Sequence, residues 1–167
     1  ATWEGRRIER DEVVFLEVGG CFRRYHTAMM RTVFTGDPPK SVRKAAEIVQ
    51  EARAHLLDAI RPGMTAGEID QLNHNIINDN KLGGYLITRA GYSIGIAFPP
   101  SWDEGYILSL KSGENTPMQK GMTLHLLPWI YGVEGQYLVG MSETIQVTED
   151  GCESFFSKPP AELVTRS

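Results

Sequence analysis

Phe15-Leu16-Glu17-Val18-Gly19-Gly20-Cys21-Phe22-Arg23-Arg24-Tyr25-His26-Thr27-Ala28-Met29-Met30-Arg31-Thr32 is the stretch whose reading decides the fold. Val13 to Val18 is a β-branched and aromatic run, Gly19-Gly20 is a turn or bulge signal, and Phe22 to Phe34 resumes with large side chains. The segment therefore predicts a two-stranded hairpin. Glu17 is a lone carboxylate between Leu16 and Val18. Burying it as an unpaired charge is costly, so it is exposed, paired with Arg23, Arg24 or Arg31, or held for chemistry.

Beyond the hairpin, Thr35-Gly36-Asp37-Pro38-Pro39 closes the strand and opens a helix, with Asp37 or Ser41 as cap. Val42, Ala45, Ala46, Val49, Ala52, Leu56 and Ile60 recur at helical spacing, which predicts an amphipathic helix lying on a sheet. Arg61-Pro62-Gly63 ends it, and Thr65-Ala66-Gly67-Glu68 is a capping box that starts a second helix running through Ile77. Asn80 to Gly84 breaks the pattern, and Tyr85 to Thr88 is short and strand-like. Arg89 to Gly105 mixes glycines, prolines, aromatics and charges, the composition of a binding loop. The last third reads as an antiparallel meander: Met122 to Leu127, its continuation Pro128 to Tyr131, Tyr137 to Thr148 and Glu153 to Phe156. Two helices among locally paired strands give an α+β class.

The chain has 167 residues, 41% hydrophobic and 23% charged, enough for one globular core over residues 1–167. A net charge of -4 with scattered Arg and Lys argues against a nucleic-acid surface and favours a small-molecule ligand. No apolar run is long enough to span a membrane. Cys21 and Cys152 lack disulfide-framework or metal-type spacing, which suits a reducing cytoplasm. The chain opens at Ala1 without an initiator Met and goes almost at once into a strand, which reads as a fragment missing its leading part.

Six segments together resemble the creatinase and aminopeptidase, or pita-bread, family: Phe15 to Gly20, Arg31-Thr32, Arg61 to Thr65, Gly91-Tyr92-Ser93-Ile94-Gly95, Gly121-Met122-Thr123 with Pro128, and Val147 to Gly151. The resemblance implies a curved antiparallel sheet with helices on its outer face and a site in its concavity, here an N-terminally truncated copy. It also implies a homodimer in the full-length form. Metallopeptidases of the family bind two metal ions through two Asp, one His and two Glu, and those positions fall here on Glu17, Ala28, Tyr92, Leu127 and Ser142, or Glu143 if the register slips by one. Ala and Leu cannot coordinate a metal, so the expectation is a site without metal or other cofactor.

Residues two apart on a strand share a face, so His26 lies with Ala28 and His125 with Leu127. Glu17, His26, Tyr92 and His125 then form a candidate catalytic set of carboxylate, imidazoles and phenol, with Phe98, Trp102 and Glu143 as candidate substrate contacts. Phe15 to His26, Arg89 to Gly105 and Gly121 to His125 are most similar to the family's ectoine hydrolase branch. That similarity implies metal-independent hydrolysis of a C–N bond in a small cyclic amidine. Glu17 would attack the carbon or activate water, His26 or His125 would shuttle the proton, and Tyr92 would steady the intermediate. Two other readings stand beside it: an Xaa-Pro-type metallopeptidase or dipeptidase built on Glu17, His26 and His125, and a non-catalytic binding module.

Overall fold

The computed structural model describes residues 5–79, 81–86, 88–98, 100–156 and 164–166. Asn80, Ile87 and Pro99, parts of the expected breaker, short strand and binding loop, lie outside the described residues. Nine strands form one sheet: β1 (Val13–Phe22), β2 (Tyr25–Thr35), β3 (Gly91–Ser93), β4 (Ser109–Leu110), β5 (Thr123–Leu126), β6 (Trp129–Val133), β7 (Tyr137–Val147), β8 (Cys152–Ser154) and β9 (Val164–Arg166). Two helices, α1 (Lys40–Ala59) and α2 (Ala66–Asn78), pack on it, so the α+β class holds. The expected pita-bread sheet is corrected: β9 runs parallel to β2, which makes the sheet mixed, and the sheet is not strongly curled.

The hairpin forms, but its turn lies elsewhere. Phe22 pairs with Tyr25, so Arg23-Arg24 is the two-residue loop, and both residues have positive φ, 49° and 71°. Such a turn matches the twist of the flanking strands, and the ten-residue ladder offsets the cost of two non-glycine residues in that region. Gly19 and Gly20 are ordinary strand residues opposite Ala28 and Thr27.

Helix α1 starts after Pro39 with no side-chain cap; Asp37 instead bonds Arg43, and Ser41 bonds Glu134. The capping box of α2 is complete, with the Thr65 side chain accepting from Glu68 N–H and the Glu68 carboxylate accepting from Thr65 N–H. Two apolar clusters join the helices to the sheet. One gathers Val42, Val49 and Ala52 against Phe34, Ile130 and Met141, and the other Leu56, Ile60 and Ile69 against Leu110, Leu124 and Ile145.

The last third is not a simple meander, because β7 is the centre of the sheet. It pairs with β5 and β6, and also with β2 and β8. Its ladder to β2 holds only Met30 opposite Ser142 and Arg31 opposite Met141, and two buried hydroxyls extend it. Thr144 Oγ1 accepts from Ala28 N–H (2.9 Å) and donates to Ala28 C=O (2.8 Å). Thr32 Oγ1 accepts from Gly140 N–H (2.9 Å) and donates to Gly140 C=O (2.7 Å).

Strand alternation sends Glu143 to the helix side of β7, where it is 0% exposed. Its carboxylate accepts from Arg31 (3.1 Å), from Arg53 of α1 (3.0 Å) and from the Ser154 hydroxyl. Removing one partner of a buried ion pair leaves an uncompensated charge. Glu143→Leu is expected to lower unfolding free energy by about 3–5 kcal/mol in urea denaturation, and a loss under about 1 kcal/mol would show that this carboxylate does not hold helix to sheet.

Candidate active site

The face of the sheet away from the helices collects side chains from five segments. Pairing in the hairpin places Glu17 beside Met30 and Gly19 beside Ala28, and the Met30–Ser142 pair brings Ser142 to the same side. Tyr92 of β3 pairs with His125 of β5. Gly91 makes that pairing possible, since a Cβ there would lie 2.3 Å from the His125 carbonyl oxygen. Trp102, from the long loop, lies across Gly19, where a Cβ would come within 2.9 Å of its ring.

These residues form a hydrogen-bonded chain. The Trp102 indole N–H donates to the Tyr92 hydroxyl (3.2 Å), that hydroxyl is 2.8 Å from His125 Nδ1, and His125 Nε2 is 2.6 Å from Ser142 Oγ. The Tyr92 and His125 rings meet edge to face at 5.1 Å. His125 and Ser142 are 0% exposed and Tyr92 only 6%. Burial holds the His125 ring down at about 4 against the opposing pull of Asp103, so it is neutral at physiological pH. Burial likewise pushes the Tyr92 phenol up to about 12, the indole hydrogen bond opposing and the charges of Asp103 and Glu17 adding to the rise.

Two proton arrangements satisfy this chain. With Nε2 protonated, the ring donates to Ser142 and the phenol proton is tied to Nδ1. With Nδ1 protonated, Ser142 donates to Nε2 and the Tyr92 oxygen accepts from both indole and imidazole, which frees the phenol proton for a third partner. The same buried residues can thus hold or release one donor without creating a net charge.

Glu17 faces this chain closely enough for its charge to act on Tyr92. It is exposed at the rim, it makes no ion pair among the described residues, and partial desolvation raises its carboxyl above the ordinary value. The arginines expected to pair with it are engaged otherwise: Arg31 with Glu143, Arg23 over the Phe22 ring and Arg24 over the Phe98 ring.

Of the seven residues singled out from sequence, the structure brings together Glu17, Tyr92, Trp102 and His125. His26 stands apart, near Glu104 at the end of β2; its N–H donates to Gly95 C=O (2.8 Å), and its Nδ1 is buried without a partner. Phe98 is 62% exposed under the Arg24 guanidinium, 4.2 Å away. Glu143 lies on the opposite face, in the ion pairs described above. Sequence reasoning left Ser142 unassigned, and it missed Arg89 and Asp103, whose ion pair sits against Tyr92 with the guanidinium 4.6 Å from the ring centroid. Ser142 carries the one usable signal, a polar residue directly after the largely apolar run Tyr137 to Met141.

A model of metallopeptidase family M24 matches residues 2–149. The chain is 32% identical over 164 residues to an ectoine hydrolase of Halomonas elongata, covering 95% of this chain and 39% of that protein. It is 30% identical over 148 residues to an Xaa-Pro dipeptidase of Pyrococcus furiosus, covering 89% and 40% respectively. Among solved structures it superimposes on dipeptidase PepE of Mycobacterium ulcerans with a TM-score of 0.82 at 27% identity, covering 97% of this chain and 42% of that one. The chain spans about two fifths of the length of the curated relatives it matches.

A dinuclear metal centre does not fit the residues present. The five positions that the family resemblance assigns to metal ligands are held by Glu17, Ala28, Tyr92, Leu127 and Ser142. Ala28 is 0% and Leu127 5% exposed, and Leu127, Met30 and Tyr92 form an apolar cluster with Phe15, Trp102 and Trp129 against it. Among the described residues no group of three or more His, Cys, Asp and Glu side chains is placed to hold a metal ion, so Glu17, His26 and His125 do not converge.

The neutral, buried His125 has a stability consequence with a definite sign. Its folded pKa of about 4 lies below the ordinary histidine value of 6.5, so between these values the unfolded chain binds a proton that the native one does not. Stability is full above about pH 6.5 and falls as pH drops toward about 4, by about 3 kcal/mol from this ring. Urea denaturation across that range is expected to show a steeper acid loss for the wild type than for His125→Gln; equal slopes would mean that the ring protonates as readily folded as unfolded.

Proposed function

Because the chain belongs to metallopeptidase family M24, we propose that it carries the reaction face of a hydrolase that cleaves a C–N bond in a small substrate. The observation that carries this reading is the Glu17 carboxylate, unpaired and partly desolvated, facing the Tyr92–His125–Ser142 chain. A raised carboxyl is a stronger base than an ordinary one and sits nearer working pH. Glu17 takes a proton from water as the water oxygen bonds to the substrate carbon. The phenol proton of Tyr92, freed when His125 holds its proton on Nδ1, stabilises the charge that develops on the tetrahedral intermediate. The proton then passes from Glu17 to the nitrogen as the C–N bond breaks, and the carboxylate is restored.

Two substrate classes are supported by different observations. The names of most relatives, including the Pyrococcus furiosus Xaa-Pro dipeptidase, favour a dipeptide, which is the more broadly supported of the two. The replaced metal donors, together with the ectoine hydrolase relative, favour a cyclic amidine opened without metal. A dipeptide substrate predicts turnover of Xaa-Pro dipeptides by the full-length protein. A cyclic amidine substrate predicts ring opening of ectoine that chelator leaves intact.

Glu17→Gln is expected to lower kcat/KM by roughly 10²–10⁴ on whichever substrate is turned over, the range for loss of a general base. Tyr92→Phe is expected to lower kcat with little change in KM, since its donor acts on charge that exists only in the transition state. Steady-state kinetics in the presence and absence of chelator checks both, and undiminished turnover by Glu17→Gln would end the proposed mechanism.

A further inference from the structure

Tyr92 and His125 face one side of their strands, and their neighbours Ser93 and Leu124 face the other. Beside the Ser93–Leu124 pair lies a cavity of about 270 Å³, lined by Ser93, Ile94, Leu108, Met122 and Leu124, with Glu104 as its charged residue. Glu104 is 8% exposed. Its backbone is fixed: its N–H donates to Ser93 C=O (3.2 Å), and its own C=O accepts from the Ser93 hydroxyl (2.9 Å) and from Ile107 N–H (2.7 Å). Its carboxylate, by contrast, has no hydrogen bond and no ion pair among the described residues. Gly95 leaves it uncovered, since a Cβ at that position would lie 3.3 Å from Oε2.

A buried carboxylate normally has partners, and an unpartnered one among apolar walls is costly. We propose that this cavity binds a small organic cation, an alkylammonium or amidinium on a compact apolar body, with Glu104 as its counter-ion. An N–H-bearing cation supplies the missing charge-assisted hydrogen bonds, while Leu108, Met122 and Leu124 cover its carbon atoms. A metal ion is a poor occupant, because Glu104 is the only carboxylate in the lining and no metal-type cluster occurs among the described residues. An anion would be repelled. The cavity lies just below the roughly 300–1,000 Å³ of drug-sized sites, which limits the ligand to a few carbons around the charge. Desolvation raises the Glu104 carboxyl, with the charge of His26 opposing, and a bound cation would favour its ionised form. This inference is independent of the reaction proposed for Glu17, since Glu17 is not among the residues that line this cavity.

The test is calorimetric titration of the full-length protein with n-butylammonium chloride, and with 1-butanol as the uncharged counterpart. Saturable binding of one ammonium per chain is expected, at least tenfold weaker for butanol and for Glu104→Gln, and unchanged for Glu17→Gln. Gly95→Ala, which sets a methyl group beside Oε2 without removing the charge, is expected to weaken binding as well and decides the matter should Glu104→Gln fail to fold. Absence of saturable binding, equal affinity for butanol, or an affinity untouched by both Glu104→Gln and Gly95→Ala would overturn the proposal. Loss of binding in Glu17→Gln would place the cation on the reaction face and overturn it too.

Discussion

A buried carboxylate, Glu143, sets the geometry on which the rest depends. It sits on the central strand β7 and binds Arg31 of the neighbouring strand β2 and Arg53 of helix α1. One side chain therefore fixes how β2 sits against β7 and where α1 crosses the sheet. A one-residue slip of β7 would carry Glu143 to the open face and leave two arginines buried without a counter-charge, so the register is strongly specified. Arg31 also donates to the Ser142 carbonyl (2.7 Å), which binds the same strand pair from the backbone side. Ser142, the next residue along, consequently has to face His125.

The open face answers a different physical problem. Positions that could have carried metal ligands are filled by Ala28 and Leu127, and the resulting dry cluster lowers the local dielectric around Tyr92 and His125. In such surroundings an ionised imidazole or phenolate is unfavourable, while a relay of neutral donors and acceptors is retained. Trp102 adds a donor that cannot reverse its role, so the Tyr92 oxygen always has one acceptor site occupied. Glu17 remains at the wetter rim as a carboxylate without an ion pair among the described residues, whereas Asp103 is tied to Arg89. A charged base beside a neutral, buried donor relay is a division of labour that acid–base hydrolysis can use.

Much of this was legible because it is local. The capping box at Thr65 and Glu68 involves residues three apart, and the apolar spacing of α1 involves neighbours on one helical face, so both are written in consecutive residues. Glu17, Tyr92, Trp102 and His125 stood out as polar or aromatic residues inside strand or loop patterns, and all four do meet. The errors share a cause in long-range pairing. Gly19-Gly20 is a stronger local turn signal than Arg23-Arg24, yet the ladder to β2 and the approach of Trp102 keep those glycines in the strand. His26 looked like a partner of His125 because it shares a face with Ala28, but it lies at the start of β2 beside the hairpin loop, where its backbone N–H bonds Gly95 C=O and its ring neighbours Glu104.

By itself the sequence determined the class, the two helices, the existence of the hairpin, and the chemical types of side chain available to a site. Those features follow from periodicity, caps and side-chain chemistry, which act over a few residues. Tertiary structure decided that β7 is central and β9 parallel, that the sheet is not strongly curled, and that Ser142 rather than Glu143 faces the site. It also decided that Glu104 lines a cavity with no hydrogen bond or ion pair to its carboxylate among the described residues. Those outcomes depend on which distant strands pair and in what register, and alternation then assigns every side chain on β7 to one face or the other.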